Sequence, residues 1–145
     1  MWQIKKLSDL YSNEFYEILK LRIDTFVVEQ QRIYHELDTN DKIAFHIFFQ
    51  DESTGLVEAY ARVFKTGNHV TFGRVVVSKE SRGTGLGDRL VEEIIKVCKE
   101  EWPNAEVMIE SQQQVIDFYR KHGFVQVGDI FEFEGTPHVE MKLQK

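Results

Sequence analysis

Apolar residues recur along this chain in two alternating patterns, every third or fourth position in some stretches and short runs or strict alternation in others. Residues 2–7 alternate loosely and predict a first strand. From Ser8 or Ser12, either able to cap a helix, Phe15, Ile18, Leu19, Ile23, Phe26 and Val27 fall on one helical face. The helix ends in Glu29-Gln30-Gln31, and a polar loop follows through Asp41. Lys42 to Gln50 and Leu56 to Phe64 are β-branched, aromatic and apolar runs joined by Asp51-Glu52-Ser53-Thr54-Gly55, which predicts a hairpin. A turn at Lys65-Thr66-Gly67-Asn68 leads into a strand over 69–78, and a long helix over 85–102 stops before Pro103-Asn104. A strand over 105–110 and a short helix over 115–122 follow, the helix ending at Gly123. Residues 124–133 and 138–143, joined at Glu134-Gly135, predict a closing hairpin.

The order β-α-βββ-α-β-α-ββ describes an α/β chain with a mixed α+β sheet, mostly antiparallel, and helices on both faces. Strands 69–78 and 105–110 are linked by a helix, so they are expected to be parallel with a right-handed crossover. Their C-terminal ends, residues 74–78 and 109–113, are then expected to meet where ligands collect in open α/β sheets. With 145 residues, no linker and no repeat, the chain reads as a single domain spanning 1–145. A formal net charge of -6 argues against a general nucleic-acid binder and favours a cationic partner. No apolar run approaches the roughly 18 residues that cross a bilayer, so no membrane partner and a cytoplasmic location are expected. The chain leaves both a monomer and a homodimer open. Its one cysteine, Cys98, sits at helical spacing among Leu90, Val91, Ile94 and Ile95 and reads as a buried thiol.

Candidate chemistry concentrates where three valines, Val75-Val76-Val77, run into Gly83-Thr84-Gly85-Leu86-Gly87 and the long helix. Glycines let backbone approach a ligand, and a helix N-terminus offers unpaired N–H donors, a combination suited to a pyrophosphate. A P-loop requires a lysine after its last glycine, but Asp88-Arg89 follows Gly87. A dinucleotide fingerprint requires glycine where Asp88 stands. Arg82-x-x-Gly85-x-Gly87 remains. His35-Glu36 lacks a second histidine at position 39, which is threonine, so no metal is expected.

That remaining pattern resembles the acyl-CoA signature of the GNAT acetyltransferase superfamily, and Phe118-Tyr119-Arg120-Lys121-His122-Gly123-Phe124 resembles its second signature. Leu21-Arg22, Phe26 to Gln30, Tyr34, Asp38, Asp41, His46, Tyr60-Ala61-Arg62, Gly73-Arg74-Val75, Ser111-Gln112 and Gly135 to His138 extend the similarity to the ElaA-like branch over almost the whole chain. Ser111, Phe133 and Thr136 depart from the residues usual at their positions. The resemblance implies the GNAT fold and an N-acetyltransferase that moves an acetyl group from acetyl-CoA directly to a primary amine of a small molecule or peptide. A non-catalytic acyl-CoA-binding or regulatory module is the alternative.

The resemblance further places the cofactor phosphates at Arg82, Gly83, Thr84, Gly85, Leu86 and Gly87, with Lys79 nearby. It places the pantetheine arm along the backbone of Val75, Val76 and Val77, with Gln112 and Phe118 as further contacts. A bulge or splay freeing those backbone donors would distinguish this role from ordinary strand pairing. Tyr119 corresponds to the general acid that meets the leaving thiolate. Glu29, Asp38, His46, Glu110 and His138 are the acceptor-side and general-base candidates. Glu29, Glu36, Asp38 and Asp41 together form an acidic segment expected to attract an amine.

Overall fold

The computed structural model describes residues 1–133 and 135–144; Glu134 of the expected Glu134-Gly135 turn and Lys145 lie outside the described residues. Strands β1 (Trp2–Lys6), β2 (Phe45–Gln50), β3 (Val57–Thr66), β4 (His69–Val77), β5 (Glu106–Gln112), β6 (Phe124–Phe133) and β7 (Thr136–Leu143) form one sheet. Their spatial order is β1-β2-β3-β4-β5-β7-β6. Every neighbouring pair is antiparallel except β4 and β5, which are parallel. Helices α1 (Ser12–Arg22), α3 (Leu86–Glu101) and α4 (Ile116–Lys121) stand where the sequence order expects them, and a short helix α2 (Asn40–Ile43) is added before β2.

Strand alternation sorts residues onto two faces. Ala59, Ala61 and Val63 of β3 join Val107, Ile109, Val139 and Met141 in the core under α3 and α4. Tyr60 and Phe48 turn the other way and pack with Ile18 of α1. Leu86, Leu90, Val91, Ile94, Val97 and Cys98 form the buried stripe of α3, so Cys98 is a core thiol, as its spacing implies. Among the described residues no helix is long and apolar enough to cross a membrane.

Two irregularities position the site. In β4 the register passes from Tyr60↔Val76 to Arg62↔Gly73, so Arg74 and Val75 oppose the single residue Ala61. Arg74 takes φ +52°, left-handed backbone that costs a non-glycine residue about 1–2 kcal/mol. This bulge shifts the alternation: Val70 and Phe72 face the α3 side before it, Val75 and Val77 after it, and Val76 turns toward α1. The second irregularity is that β4 and β5 pair only at His69↔Glu106 and Val70↔Val107. The strands are parallel as expected, but their C-terminal ends flank a gap instead of pairing.

The segment before the sheet differs from the sequence expectation. Residues 23–29 continue α1 as π-helical turns, with the Gln30 N–H donating to the Thr25 carbonyl at 3.0 Å. The buried stripe is more polar than the spacing implied, because Glu14 and Arg22 are buried while Ile23 is exposed. Glu14 is held by Lys5 at 2.9 Å and by the Tyr11 N–H. The strand expected from Lys42 starts only at Phe45, since Asn40–Ile43 forms a helical turn closed by the Ala44 N–H on the Asn40 carbonyl.

Candidate functional site

The glycine loop sits at the end of β4 and at the mouth of the gap. Gly83 and Gly85 take φ +82° and +84°, and a Cβ at either would meet no atom within 4 Å, so the backbone there is open to a close-approaching ligand. Gly87 differs: its Cα faces the Phe118 ring and Val77, each 3.7 Å from an ideal Cβ. The first intrahelical bond of α3 runs from the Arg89 N–H to the Gly85 carbonyl, leaving the N–H groups of Leu86, Gly87 and Asp88 as helix-terminal donors. Asp88 does not present its charge to them. Its carboxylate is held by Lys121 at 2.9 Å and by His122 Nε2 at 2.8 Å, and these bonds lower its pKa.

Arg82 donates from Nε to the Val77 carbonyl at 3.1 Å and from its terminal nitrogens to both oxygens of Glu29 at 2.9 and 3.1 Å. The Thr84 hydroxyl donates back to the Ser81 carbonyl at 2.6 Å. Because the Ser78 N–H donates to Glu58 of β3, the preceding residue, Val77, directs its own N–H away from β3 and toward the gap. The loop, the helix terminus and this donor fit an elongated phosphate-bearing group entering between β4 and β5. Lys79 is exposed in the turn that precedes the loop.

Tyr119 of α4 lies on the other side of the gap, 8% exposed, its ring among Phe72, Phe118 and Phe124 with centroids 5.2–6.0 Å away. Burial pushes its phenol up to about 12. Gln112 ends β5 opposite His138 of β7, and its side-chain oxygen accepts from Gln114. His138 is buried between the Phe131 and Phe133 rings, with Nδ1 2.8 Å from the Thr136 carbonyl oxygen.

The acidic segment is not a free anionic surface. Fully buried Arg22 donates from Nε to Glu36 and from its terminal nitrogens to Asp41, the Glu36 carbonyl and the Tyr60 hydroxyl. Arg62 binds Asp38 through two bonds of 2.6 and 2.9 Å and lies 3.1 Å from Asp41. Arg74, aimed by the bulge, reaches Glu36 at 3.1 Å, and the Tyr34 hydroxyl also donates to Glu36. Three carboxylates thus meet three arginines, and Glu29 meets Arg82. The Arg62 hydrogen bond lowers the Asp38 pKa; burial is the largest single influence on Asp41 and would raise it, but Arg22, the Asp38 N–H and Arg62 together outweigh it and the net shift is downward. His46 is fully buried, with Nδ1 2.6 Å from the Tyr60 hydroxyl and Nε2 3.0 Å from the Asp41 carbonyl oxygen, and burial lowers its pKa. The carbonyl requires a proton on Nε2, so Nδ1 accepts from Tyr60 and the ring is neutral.

On the α1 side of the sheet, where β4 parts from β5, lies a cleft of about 450 Å3 lined by Arg62, Phe64, Gly73, Glu110 and Glu140 among others. Of the five acceptor-side residues expected from the sequence, Glu110 lines this cleft, Asp38 binds its wall residue Arg62, and Glu29, His46 and His138 are engaged elsewhere. Arg62 and Gly73 stand in the sequence only among the residues that carry the family resemblance, with no acceptor role attached, and Glu140 carried no signal of its own. The strict alternation of buried Val139 and Met141 against Glu140 was the pattern that could have placed Glu140 on the open face.

Burial of Tyr119 and Cys98 makes a prediction for alkaline pH. The phenol and the thiol are raised from 10.0 and 9.0 to about 12 each, so both are neutral in the fold at pH values where the unfolded chain ionises. With folded pKa values above the unfolded ones, their contribution is complete below about pH 9 and is lost as the pH rises toward about 12. The urea midpoint is expected to fall steeply above about pH 10. A midpoint as high at about pH 11 as at neutrality would contradict this burial.

A family model described as an acetyltransferase (GNAT) domain matches residues 9–145. The ElaA protein of Escherichia coli is 32% identical over 97% of this chain and 94% of its own length. Its crystal structure superposes with a TM-score of 0.92, covering 99% of each chain. The crystal structure of an acyl-CoA N-acyltransferase from Pseudomonas aeruginosa is equally similar, at 32% identity, TM-score 0.92 and 99% coverage of both chains. A UPF0039 protein of Synechocystis is 36% identical over 97% of this chain and 92% of its own length.

Proposed function

The chain belongs to the GNAT family and is an N-acetyltransferase, and from that premise we propose that it transfers acetyl from acetyl-CoA directly to a primary amine of a small molecule or peptide. The observation that carries this reading is the parting of β4 from β5 after Val70, with a donor on Val77 facing the gap and the glycine loop at its mouth. Val75 to Val77 hold the pantetheine arm as a neighbouring strand would. The N–H groups of Gly83 to Gly87 and the α3 terminus hold the pyrophosphate, and Arg82 exchanges Glu29 for a phosphate oxygen. Phe118 and Gln112 border the same gap from the α4 side.

Acetyl-CoA supplies a thioester whose C–S bond breaks as the C–N bond to the amine forms. Tyr119 holds its proton across the neutral range, as any phenol near its ordinary value would and more firmly for its burial, and it donates to the sulfur as negative charge develops there. Glu110, exposed at the cleft and unpaired among the described residues, takes up the proton the amine must lose. Tyr119→Phe is expected to leave acetyl-CoA affinity within about a factor of two and to lower kcat about 10²-fold, since the phenol acts on charge present only in the transition state. An unchanged kcat under conditions where chemistry is rate-limiting removes Tyr119 from the mechanism. Tight acetyl-CoA binding without turnover of any amine would instead favour a binding module.

A further inference from the structure

Glu110 of β5 and Glu140 of β7 are direct cross-strand partners, and both line the cleft. Directly opposed residues of an antiparallel pair hold their Cβ atoms about 4.5–5.5 Å apart, so two carboxylates there repel one another. Nothing among the described residues offsets that repulsion: neither glutamate has a hydrogen bond or ion pair, and Lys142 on the same strand is committed to Glu106 at 2.6 Å. The acidic segment does not share the load, because Glu36, Asp38 and Asp41 are already matched by Arg22, Arg62 and Arg74. The uncompensated charge of the cleft therefore resides on this pair.

Arg62 supplies an independent observation. It lines the same cleft, is only 4% exposed, and has its terminal nitrogens on Asp38 and Asp41. Its Nε is a buried donor with no partner among the described residues. A buried N–H is costly to leave unsatisfied, and such an atom at a binding cleft marks where an acceptor atom is missing. Gly73 keeps the wall between the two features open: no atom lies within 4 Å of where its Cβ would be.

We infer that the cleft recognises a small cationic amine that also carries a neutral oxygen, an amide or a hydroxyl, with its ammonium between Glu110 and Glu140 and its oxygen accepting from Arg62 Nε. This rests on the N-acetyltransferase reading and specifies its acceptor. An ammonium has three donors and can serve both carboxylates at once. A free amino acid is disfavoured twice: its carboxylate would face two glutamates, and the charge of Arg62, the arginine that lines the cleft, is already matched by Asp38 and Asp41. A volume of about 450 Å3 lies within the range of small-molecule sites.

The test uses glycinamide, β-alaninamide and γ-aminobutyramide as probes, beside the corresponding free amino acids and putrescine, at saturating acetyl-CoA. Glu140→Gln is expected to raise KM for the best amide about tenfold or more while KM for acetyl-CoA stays put. In the free protein the same change is expected to raise Tm by about 1–4 °C, because it removes the opposed charges, whereas a structural carboxylate would be missed. Gly73→Val, which requires no left-handed backbone, is expected to abolish amide turnover with acetyl-CoA affinity intact. A Glu140→Gln variant with lowered Tm, or with unchanged amide KM, would overturn the assignment, as would amino acids or putrescine used as well as the amides. If no amine releases CoA although acetyl-CoA binds, the transferase reading fails separately. Saturation-transfer NMR with the amides then decides the cleft, binding lost in Glu140→Gln supporting the assignment and equal binding overturning it.

Discussion

Arg22→Ala is expected to destabilise the folded protein by roughly 3–5 kcal/mol, equivalent to a factor of about 10²–10⁴ in the folding equilibrium. Arg22 is fully buried and binds Glu36, Asp41, a backbone carbonyl and the Tyr60 hydroxyl, so its removal strands two carboxylates that are themselves only 6% and 4% exposed. Arg74 on Glu36 and Arg62 on Asp41 remain and place the loss in the lower half of that range. The same network fixes the Tyr34-to-Asp41 segment against the sheet and sets the Arg62 wall of the cleft, so a folded fraction of the variant is also expected to lose acceptor selectivity. Urea unfolding of wild type and variant at neutral pH measures the effect. A difference below about 1 kcal/mol would mean that the cluster contributes little to holding the segment in place.

The glycine loop and the strand and helix around it were legible in the sequence because their chemistry is local. Gly83, Gly85 and Gly87 stand at fixed spacing between a valine run and a periodic helix, and the two positive φ angles fall where a tight approach requires glycine. The β2-β3-β4 meander, the parallel β4–β5 pair and the closing hairpin were legible for a similar reason, since short turns and a helical crossover leave few alternatives, whereas the insertion of β7 between β5 and β6 follows only from the fold. The acidic segment was misread because its counter-charges are remote in the chain: Arg22, Arg62 and Arg74 lie on three elements that only the fold brings together. Nothing in a sequence window reports that Glu36 and Asp41 are buried, and a count of carboxylates treats them as free. The bulge at Arg74 was equally silent, being a left-handed residue that is not glycine. His46 is an acceptor-side candidate in the sequence, but in the fold it is fully buried with Nδ1 on the Tyr60 hydroxyl and Nε2 on the Asp41 carbonyl, so both ring nitrogens are taken up within the network and neither is open to the cleft.

Gly85→Asp is expected to abolish acetyl-CoA binding while leaving the fold intact. At φ +84° an aspartate is strained by about 1–2 kcal/mol, yet its Cβ meets no neighbouring atom within 4 Å, so the protein is expected to remain folded with a modestly lower melting temperature. The carboxylate would stand at the N-terminus of α3, where the helix-terminal N–H groups are expected to receive a pyrophosphate. Opposed like charges at a binding surface cost several kcal/mol, which corresponds to an affinity loss of about 10³ or more. Arg82 does not rescue it, because a new carboxylate beside the loop competes with phosphate for the same guanidinium that Glu29 now holds. The decisive measurement is calorimetric titration of acetyl-CoA into wild type and Gly85→Asp, with circular dichroism confirming that both are folded. Saturable binding by wild type and none detectable in the variant is the predicted result; a folded Gly85→Asp protein with wild-type affinity, or a wild type that does not bind acetyl-CoA, would contradict the account.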